Sequence, residues 1–227
     1  MSNTELIQEM FDANMHFGYS RTRRHPSTIP YIFTTKTRGD IIDLEKSAEL
    51  MTDAMAALEK AGSEKLQVLF VGTKPEARNI VRSAAERIDM PFVDNRWVGG
   101  TLTNFGEIRK RVNRLIDLED RQEKGELVYQ TKKELLMLER EIIKLRKNFG
   151  GLTSMPKLPA MMVVVDPLHE DIAVKEAQAL NIPIVALSNT DGDIEALQYP
   201  VVGNDSHTHA VQLFTKKLTQ SYEAGNA

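Results

Sequence analysis

The sequence of 227 residues contains no cysteine. Disulfide bonds, thiolate metal sites and cysteine nucleophiles are therefore excluded, and a cysteine-free chain fits a reducing cytoplasm. No run approaches the roughly 18 apolar residues of a membrane-spanning helix. The first residues also lack the basic segment followed by an apolar one that marks a signal peptide. These absences predict a cytoplasmic protein without a membrane partner.

Recognisable catalytic motifs are absent as well. Ser188 ends a predicted strand, but no Gly-x-Ser-x-Gly elbow surrounds it. His169 and the pair His207 and His209 have no evident acid–base partner in the sequence. The sequence therefore predicts no enzyme, no cofactor and no small-molecule substrate.

One turn keeps an alternative function open. Gly72-Thr73-Lys74 follows a predicted buried strand and precedes a predicted helix, a place where many α/β proteins bind phosphate. The segment is neither a Walker loop nor a three-glycine dinucleotide motif, so an ordinary turn is the favoured interpretation. The alternative is an α/β enzyme or sensor that binds a nucleotide or a sugar phosphate there.

A metal site has only weak candidates. His16, Asp193 and Asp205 lie near predicted carboxyl ends of strands, and carboxylates with a histidine suit zinc or magnesium. Their spacing matches no standard metal motif, and Asp191-Gly192-Asp193 is typical of a turn. Polar turn residues with ordinary hydrogen-bond partners are therefore favoured over metal ligands.

Most of the chain alternates between apolar strands and amphipathic helices. Continuous apolar runs such as Val68 to Val71 are typical of strands that are buried on both faces. The alternation predicts an α/β fold, a Rossmann- or flavodoxin-like parallel sheet with helices on both faces. The predicted strands of this sheet cover residues 67–71, 91–93, 161–165, 182–187 and 200–202.

Residues 105–149 interrupt this alternation and show no strand signal. Two apolar stripes with heptad spacing lie in this segment, separated by Lys124-Gly125-Glu126. They predict two helices in an antiparallel coiled-coil hairpin, inserted into a globular α/β domain of residues 1–104 and 150–227. The stripes consist of Ile108, Val112, Leu115 and Leu118 on the first helix and Leu135, Leu138, Ile142, Leu145 and Phe149 on the second.

Positive charge is scarce overall but concentrated locally. The net charge is −3, which by itself argues mildly against a nucleic-acid partner. Residues 17–38 nevertheless carry five basic residues and no acidic one, whereas residues 155–227 carry four basic and nine acidic ones. A second basic group opens the first hairpin helix, away from its apolar stripe. By charge alone, a solvated helix face and contact with RNA are about equally favoured there.

The segment from Asn95 to Phe105 joins a predicted strand to the first hairpin helix. It contains the only tryptophan, Trp97, beside Arg96, and the pair Gly99-Gly100 follows. The residues themselves leave open whether Trp97 stacks on RNA or packs internally. The position favours Trp97 as the packing anchor of a structural junction in which Gly99 and Gly100 let the chain turn. Arg96 and Asn104 are then the expected RNA contacts.

The same segment belongs to a set of motifs that resembles the bacterial small-subunit ribosomal protein two family. The resemblance covers nearly the whole chain, in order. Its motifs are His16-Phe17-Gly18, Arg21-Thr22-Arg23-Arg24, Tyr31-Ile32-Phe33, 41–46, 69–74, 96–105, Lys157-Leu158-Pro159-Ala160, 163–166, Glu176-Ala177, Ile182-Pro183 and Gly203-Asn204-Asp205.

The resemblance implies a structural protein that binds ribosomal RNA between the head and the body of the small subunit. It also implies contact with other small-subunit proteins and support for docking ribosomal protein one, where that protein is present. Many family members have His in place of Tyr19 and Asp in place of Ser206, which lowers the expectation of a metal further. The expected RNA contacts are Arg21, Arg23, Arg24, Lys36, Arg38, Lys74, Arg96, Asn104, Arg109, Lys110, Arg111 and Arg114.

Overall fold

The structure is a computed structural model that describes residues 3–37, 39–124 and 132–226. Arg38 lies outside these residues, as do Gly125 and Glu126 of the predicted turn between the two hairpin helices. The helices are α1 (Asn3–Asp12), α2 (Leu44–Ser63), α3 (Pro75–Arg87), α4 (Phe105–Glu123), α5 (Lys132–Phe149), α6 (Asp171–Ala179) and α7 (Thr208–Asn226). The strands are β1 (Ile32–Lys36), β2 (Gly39–Ile42), β3 (Val68–Val71), β4 (Phe92–Val93), β5 (Met161–Val165), β6 (Ile184–Ser188) and β7 (Tyr199–Val202).

The central sheet has five parallel strands in the order β4-β3-β5-β6-β7. The chain leaves β4 at one edge, forms α4 and α5, and returns as β5 on the other side of β3. The strand order therefore reverses between β3 and β5, the place where doubly wound sheets usually form their ligand crevice. The prediction of a parallel α/β sheet is confirmed.

Side chains of the central strands alternate between two apolar clusters. Phe70 points into a cluster that includes residues of α1, α2, α3 and α7. Its neighbours Leu69 and Val71 point into the opposite cluster, which includes residues of α4, α5 and α6. Because both faces are covered, these strands contain apolar residues at consecutive positions rather than at alternating ones.

A smaller antiparallel pair, β1 and β2, precedes the main sheet. Two short 3-10 helices, Arg21–Arg23 and Pro26–Tyr31, lead into it. Asp43 follows the pair and caps α2, because its side chain accepts a hydrogen bond from the backbone N–H of Glu45 at 3.1 Å. Residues 17–31, called the basic loop below, thus lie in the chain between α1 and this strand pair.

Helices α4 and α5 pack against each other and against the sheet. Leu115, Leu118 and Ile142 form a small buried cluster between the two helices. Ile108 and Phe149 instead belong to the apolar cluster on one face of the sheet. Leu135, which the heptad pattern placed in the interhelical seam, is 38% exposed. The packing therefore covers only part of the predicted seam, and a coiled-coil hairpin remains a prediction.

None of the helices in the described part of the chain is both long and apolar enough to cross a membrane.

Helices α2 and α7 approach each other closely. A Cβ atom at Gly62 would lie 2.2 Å from the carbonyl oxygen of Tyr222, which is a backbone atom and cannot swing away. Glycine at this position therefore allows the backbones of the two helices to touch. Gly106 in α4 provides a contrast, because a Cβ atom there would meet nothing within 4 Å.

We expect Gly62→Ala to destabilise the protein, because the two helix backbones must separate to admit the methyl group. The expected loss in the free energy of unfolding is about 1–3 kcal/mol, as for other overpacked cores. Gly106→Ala should raise that free energy by up to about 1 kcal/mol, the helix-propensity difference between the two residues. Urea unfolding followed by circular dichroism measures both changes, and equal effects of the two substitutions would contradict this account.

Candidate nucleic-acid interface

A buried carboxylate holds the segment between β4 and α4. Glu176, in α6, accepts hydrogen bonds at Oε1 from the Trp97 indole N–H at 3.0 Å and from the Gly100 backbone N–H at 2.7 Å. Its Oε2 accepts from the backbone N–H of Leu102 at 2.9 Å and from both the backbone N–H and the hydroxyl of Thr103 at 3.1 Å. One side chain thus accepts five hydrogen bonds from four residues of the loop.

The surroundings of Glu176 favour its charged form. The residue is only 8% exposed, and burial alone would raise the pKa of its carboxyl group. The hydrogen bonds from Trp97, Thr103, Gly100 and Leu102 outweigh burial and hold the pKa below its ordinary value. The sequence contains a signal for this site, since an acidic residue on the apolar face of a helix requires buried partners.

Trp97 lies in the core rather than on the surface. It is 7% exposed and packs in the same apolar cluster as Leu102 and Phe149. With its ring buried and its N–H bonded to Glu176, it offers no free face for a base to stack on. Of the two following glycines, Gly100 has a φ of +89°, which a side chain would strain, whereas a Cβ atom at Gly99 would meet nothing within 4 Å.

The polar residues on either side of this loop face solvent. Arg96 is exposed and forms no ion pair with any carboxylate in the described ranges. Asn104 is exposed at the N-cap position of α4, where its side chain makes no capping hydrogen bond. Asn95, before Arg96, donates a long hydrogen bond of 3.5 Å to the carbonyl of Lys147 in α5. Within the described part of the chain, the loop therefore presents one cation and one side-chain amide without a partner.

The three arginines of the basic loop have different environments. Arg24 donates to both carboxylate oxygens of Asp40, whose side chain is 0% exposed, and donates at 2.7 Å to the Thr35 hydroxyl. The hydrogen bond from Arg24 holds the pKa of the Asp40 carboxyl group below its ordinary value although burial opposes this. Arg21 and Arg23 are exposed, and the Arg23 guanidinium lies 5.5 Å from the centre of the Tyr19 ring.

Lys36, at the end of β1, is exposed and has no ion-pair partner among the residues that the structure describes. Arg38, two residues further along the chain, lies outside the described residues.

Arg109 binds the base of the two long helices instead of facing outward. Its guanidinium donates to the carbonyl oxygen of Met155 at 3.1 Å and to that of Thr153 at 3.4 Å. These carbonyls lie just after α5, so Arg109 ties the beginning of one helix to the chain that leaves the other. The sequence interpretation of an outward-facing charge missed these contacts.

The remaining basic residues of α4 are exposed. Lys110 pairs with Glu107 at 2.6 Å in the same helix, and Arg114 contacts Glu141 of α5 at 3.4 Å. Arg111 is exposed and has no carboxylate within ion-pair distance in the described part of the chain. Exposed pairs of this kind contribute little to stability, so these cations can exchange their partners for phosphates.

Lys74 occupies the crevice at the switch point of the sheet. Its amino group forms ion pairs with Asp166, after β5, and with Asp205, after β7, the second at 3.1 Å. The backbone N–H and the hydroxyl of Thr73 donate to Glu170 at 2.9 and 2.6 Å. The donors that a phosphate would need are therefore engaged with the protein's own carboxylates.

The charges in this crevice shift each other's pKa values. Burial opposes the charged form of Lys74, but the hydrogen bonds and charges of Asp166 and Asp205 raise its pKa overall. Burial and the neighbouring charge of Asp166 raise the pKa of Asp205, and burial also raises the pKa of Asp191. An added anion would therefore meet three carboxyl groups and one lysine that is already paired.

The weak metal candidates do not come together. The His16 ring stacks on Phe11 with 4.7 Å between the ring centres, whereas Asp193 lies 4.0 Å from the ring of His25. Asp205 is buried in the crevice. Within residues 3–37, 39–124 and 132–226, no three histidine, aspartate or glutamate side chains form a group that could hold a metal ion.

The sheet topology and the contacts in the crevice together define the class of protein. This is a doubly wound α/β domain in which carboxylates of the protein itself engage Thr73 and Lys74 at the switch point, with exposed cations on the loops and helices around it. The family model described as ribosomal protein S2 matches residues 10–225. The small ribosomal subunit protein uS2 of Sulfurimonas denitrificans is 41% identical over 221 residues, which cover 97% of this chain and 85% of the relative.

The chain therefore belongs to the ribosomal protein S2 family. This finding confirms the resemblance seen in the sequence. The family is a structural component of the ribosome and not a family of enzymes.

We expect Arg24→Gln to destabilise the fold, because it leaves the buried carboxylate of Asp40 without its cation. Breaking such a pair should lower the free energy of unfolding by roughly 3 kcal/mol. Arg21→Gln removes the same charge from the same loop at an exposed site and should change stability by less than about 0.5 kcal/mol. Thermal unfolding of both variants measures the difference, and indistinguishable midpoints would refute the distinction.

The stability of the junction should depend on pH through Glu176. Its pKa in the folded protein is lowered, so its contribution is present above the unfolded value of about 4.3 and is lost as the pH falls through the folded value. We expect Glu176→Gln to be less stable than the parent at pH 7. The difference should shrink as the pH falls below about 4. Urea unfolding at a series of pH values tests this, and a constant difference would contradict it.

Proposed function

We propose that this protein is a structural constituent of the small ribosomal subunit. It contacts ribosomal RNA between the head and the body and supports the docking of ribosomal protein one where that protein is present. Family membership supports the general role, and the relative from Sulfurimonas denitrificans carries the name of a small-subunit protein. A ribosomal role in turn supports a cytoplasmic location.

The observation that carries the RNA contact is a set of exposed cations without carboxylate partners. Such side chains can neutralise phosphates and release counterions, and this requires little reading of base sequence. Paired and buried cations cannot do so without breaking internal contacts. Within the described residues, the free members of the expected RNA-contact set are Arg21, Arg23, Lys36, Arg96 and Arg111.

The other expected contacts divide into two groups. Lys110 and Arg114 remain in the proposed interface because their ion pairs are exposed and weak. Arg24, Lys74 and Arg109 hold the protein's own carboxylates or carbonyls. We therefore assign these three a supporting role and remove them from the direct contacts. Asn104 stays as an exposed amide donor at the other end of the loop from Arg96, and Arg38 stays on the basis of its sequence position.

The long helices give the interface a second surface. We propose that residues 105–149 form a coiled-coil hairpin on a globular body of residues 1–104 and 150–227. Arg111 lies near the beginning of this hairpin, close in sequence to Arg96 and Asn104 at the junction. RNA contacts on the globular body and on the hairpin would then be continuous through the junction.

The acidic C-terminal part of the chain suits protein partners better than RNA. Residues 155–227 carry four basic and nine acidic residues. Leu168, just before α6, and Ile172, in its first turn, are exposed apolar side chains in this acidic region. Other small-subunit proteins, including ribosomal protein one, are therefore proposed to dock on this side.

The alternative of a small phosphate ligand at Gly72-Thr73-Lys74 receives less support. The engaged donors of Thr73 and Lys74 and the three carboxyl groups nearby disfavour an anion. Sedimentation of a cell lysate through a sucrose gradient distinguishes the two functions. Ribosomal membership predicts that the protein sediments with small subunits, whereas a soluble sensor would stay at the top of the gradient.

We expect the combined substitution Arg21→Gln, Arg96→Gln and Arg111→Gln to weaken binding to small subunits that lack this protein. Each lost phosphate contact should reduce the slope of log K against log salt by about 0.7–0.9, so three contacts should reduce it by about 2–3. Binding at several salt concentrations, measured by co-sedimentation, gives the slope. The unfolding midpoint should stay unchanged.

The matched control changes three exposed lysines elsewhere, Lys60, Lys65 and Lys216, to Gln and so produces the same net charge. This variant should keep the parent slope and affinity, because these side chains lie outside the proposed interface. If both variants lost the same affinity, the effect would come from net charge alone, and the proposed interface would be wrong.

A further inference from the structure

We propose that Glu176 is a positioning residue for RNA binding, which fixes Arg96 and the beginning of α4 from inside the protein. This inference rests on the proposed function. It adds to the RNA-binding residues one that is buried and does not itself contact RNA. Glu176 is buried in α6 and negatively charged, so direct contact with a phosphate would be repulsive.

The hydrogen bonds at Glu176 determine the path of the loop. Between Trp97 and Thr103, four donors of the backbone and side chains, together with the Thr103 hydroxyl, converge on its two oxygens. Thr101 instead bonds within the loop, to the carbonyl of Val98 at 2.6 Å. The donors between Trp97 and Thr103 face Glu176. The side chains of Arg96 and Asn104, at the two ends of the loop, are exposed to solvent.

Arg96 lies between two fixed points. On one side, Asn95 reaches the backbone of α5, and Asp94 pairs with Arg82 of α3. On the other side, Trp97 is held by Glu176. At the far end of the loop, the N–H of Asn104 donates to the Gly100 carbonyl at 2.9 Å. Loss of the Glu176 contacts therefore frees the chain on one side of Arg96 and immediately before α4.

A carboxylate is required because four of the five donors are N–H groups, which cannot accept a hydrogen bond, and both carboxylate oxygens face them. A glutamine at this position has the same shape, but one of its two terminal groups is an NH2, which would face N–H groups. Glu176→Gln therefore breaks two or three of the five hydrogen bonds while it leaves the apolar packing in place. It is the smallest change that releases the loop.

The test is a double-mutant cycle of Glu176→Gln and Arg96→Gln, with binding to small subunits that lack this protein measured at several salt concentrations. Arg96→Gln should weaken binding about tenfold near 0.1 M salt and reduce the salt slope by about 0.7–0.9. Glu176→Gln should reduce the slope by a similar amount although it removes no cation. The affinity of the double variant should lie within about twofold of the weaker single variant, because the two substitutions remove the same contact.

Glu170→Gln is the matched control. Glu170 is a second buried glutamate next to α6, and it holds the backbone and hydroxyl of Thr73 in the crevice instead of the junction. This variant should lose stability but keep the salt slope of the parent. If Glu176→Gln proves too unstable, Thr103→Val removes one of the five hydrogen bonds at an exposed residue and should shift the slope in the same direction, by less.

The outcomes separate the two proposals. Unchanged binding by Arg96→Gln and by the triple variant would overturn the proposed interface and the positioning role together. A reduced slope for Arg96→Gln with a parent slope for Glu176→Gln or Thr103→Val would overturn only the positioning role. Additive losses in the double variant, or an equal slope change in Glu170→Gln, would also overturn it.

Discussion

The hydrogen bonds at Glu176 couple α6 to the loop between β4 and α4, and the path of that loop depends on them. A buried carboxylate is costly unless its oxygens are satisfied, and here the satisfying donors come from a loop that has no regular structure of its own. The hydrogen bonds give the loop a defined path, and the loop's N–H groups replace water as the partners of the carboxylate. The loop and the carboxylate therefore stabilise each other. The ring of Trp97 is buried beside them.

Much of the fold could be predicted because the relevant signals are local. Apolar runs such as Met161 to Val165 predicted the central strands, and the predicted and observed ends of each strand differ by at most two residues. The break in the alternation of strands and helices predicted α4 and α5. The heptad pattern was less informative at its N-terminal end, where Leu135 is exposed. Spacing records which face of a helix is apolar, but it does not record how far a neighbouring helix covers that face.

The partners of the charged residues could not be predicted in the same way, because they are distant in sequence. Arg24 and Asp40 are 16 positions apart, and Lys74 and Asp205 are 131 apart. The number of charges in a segment does not distinguish Arg21 from Arg24. Arg21 is exposed, whereas Arg24 is paired with the buried carboxylate of Asp40. A net charge of −3 is compatible with RNA contact because many of the acidic residues face their own cations.

The crevice around Lys74 explains how a fold that commonly binds small ligands can serve as a scaffold. In doubly wound sheets the switch point is an open cleft lined by free donors at a helix N-terminus. Here Lys74 lies between two aspartates, and Glu170 takes the donors of Thr73. The internal ion pairs replace a ligand and connect the ends of β3, β5 and β7. The polar groups of the crevice thus support the sheet, and the cations on the surrounding loops remain available for an external partner.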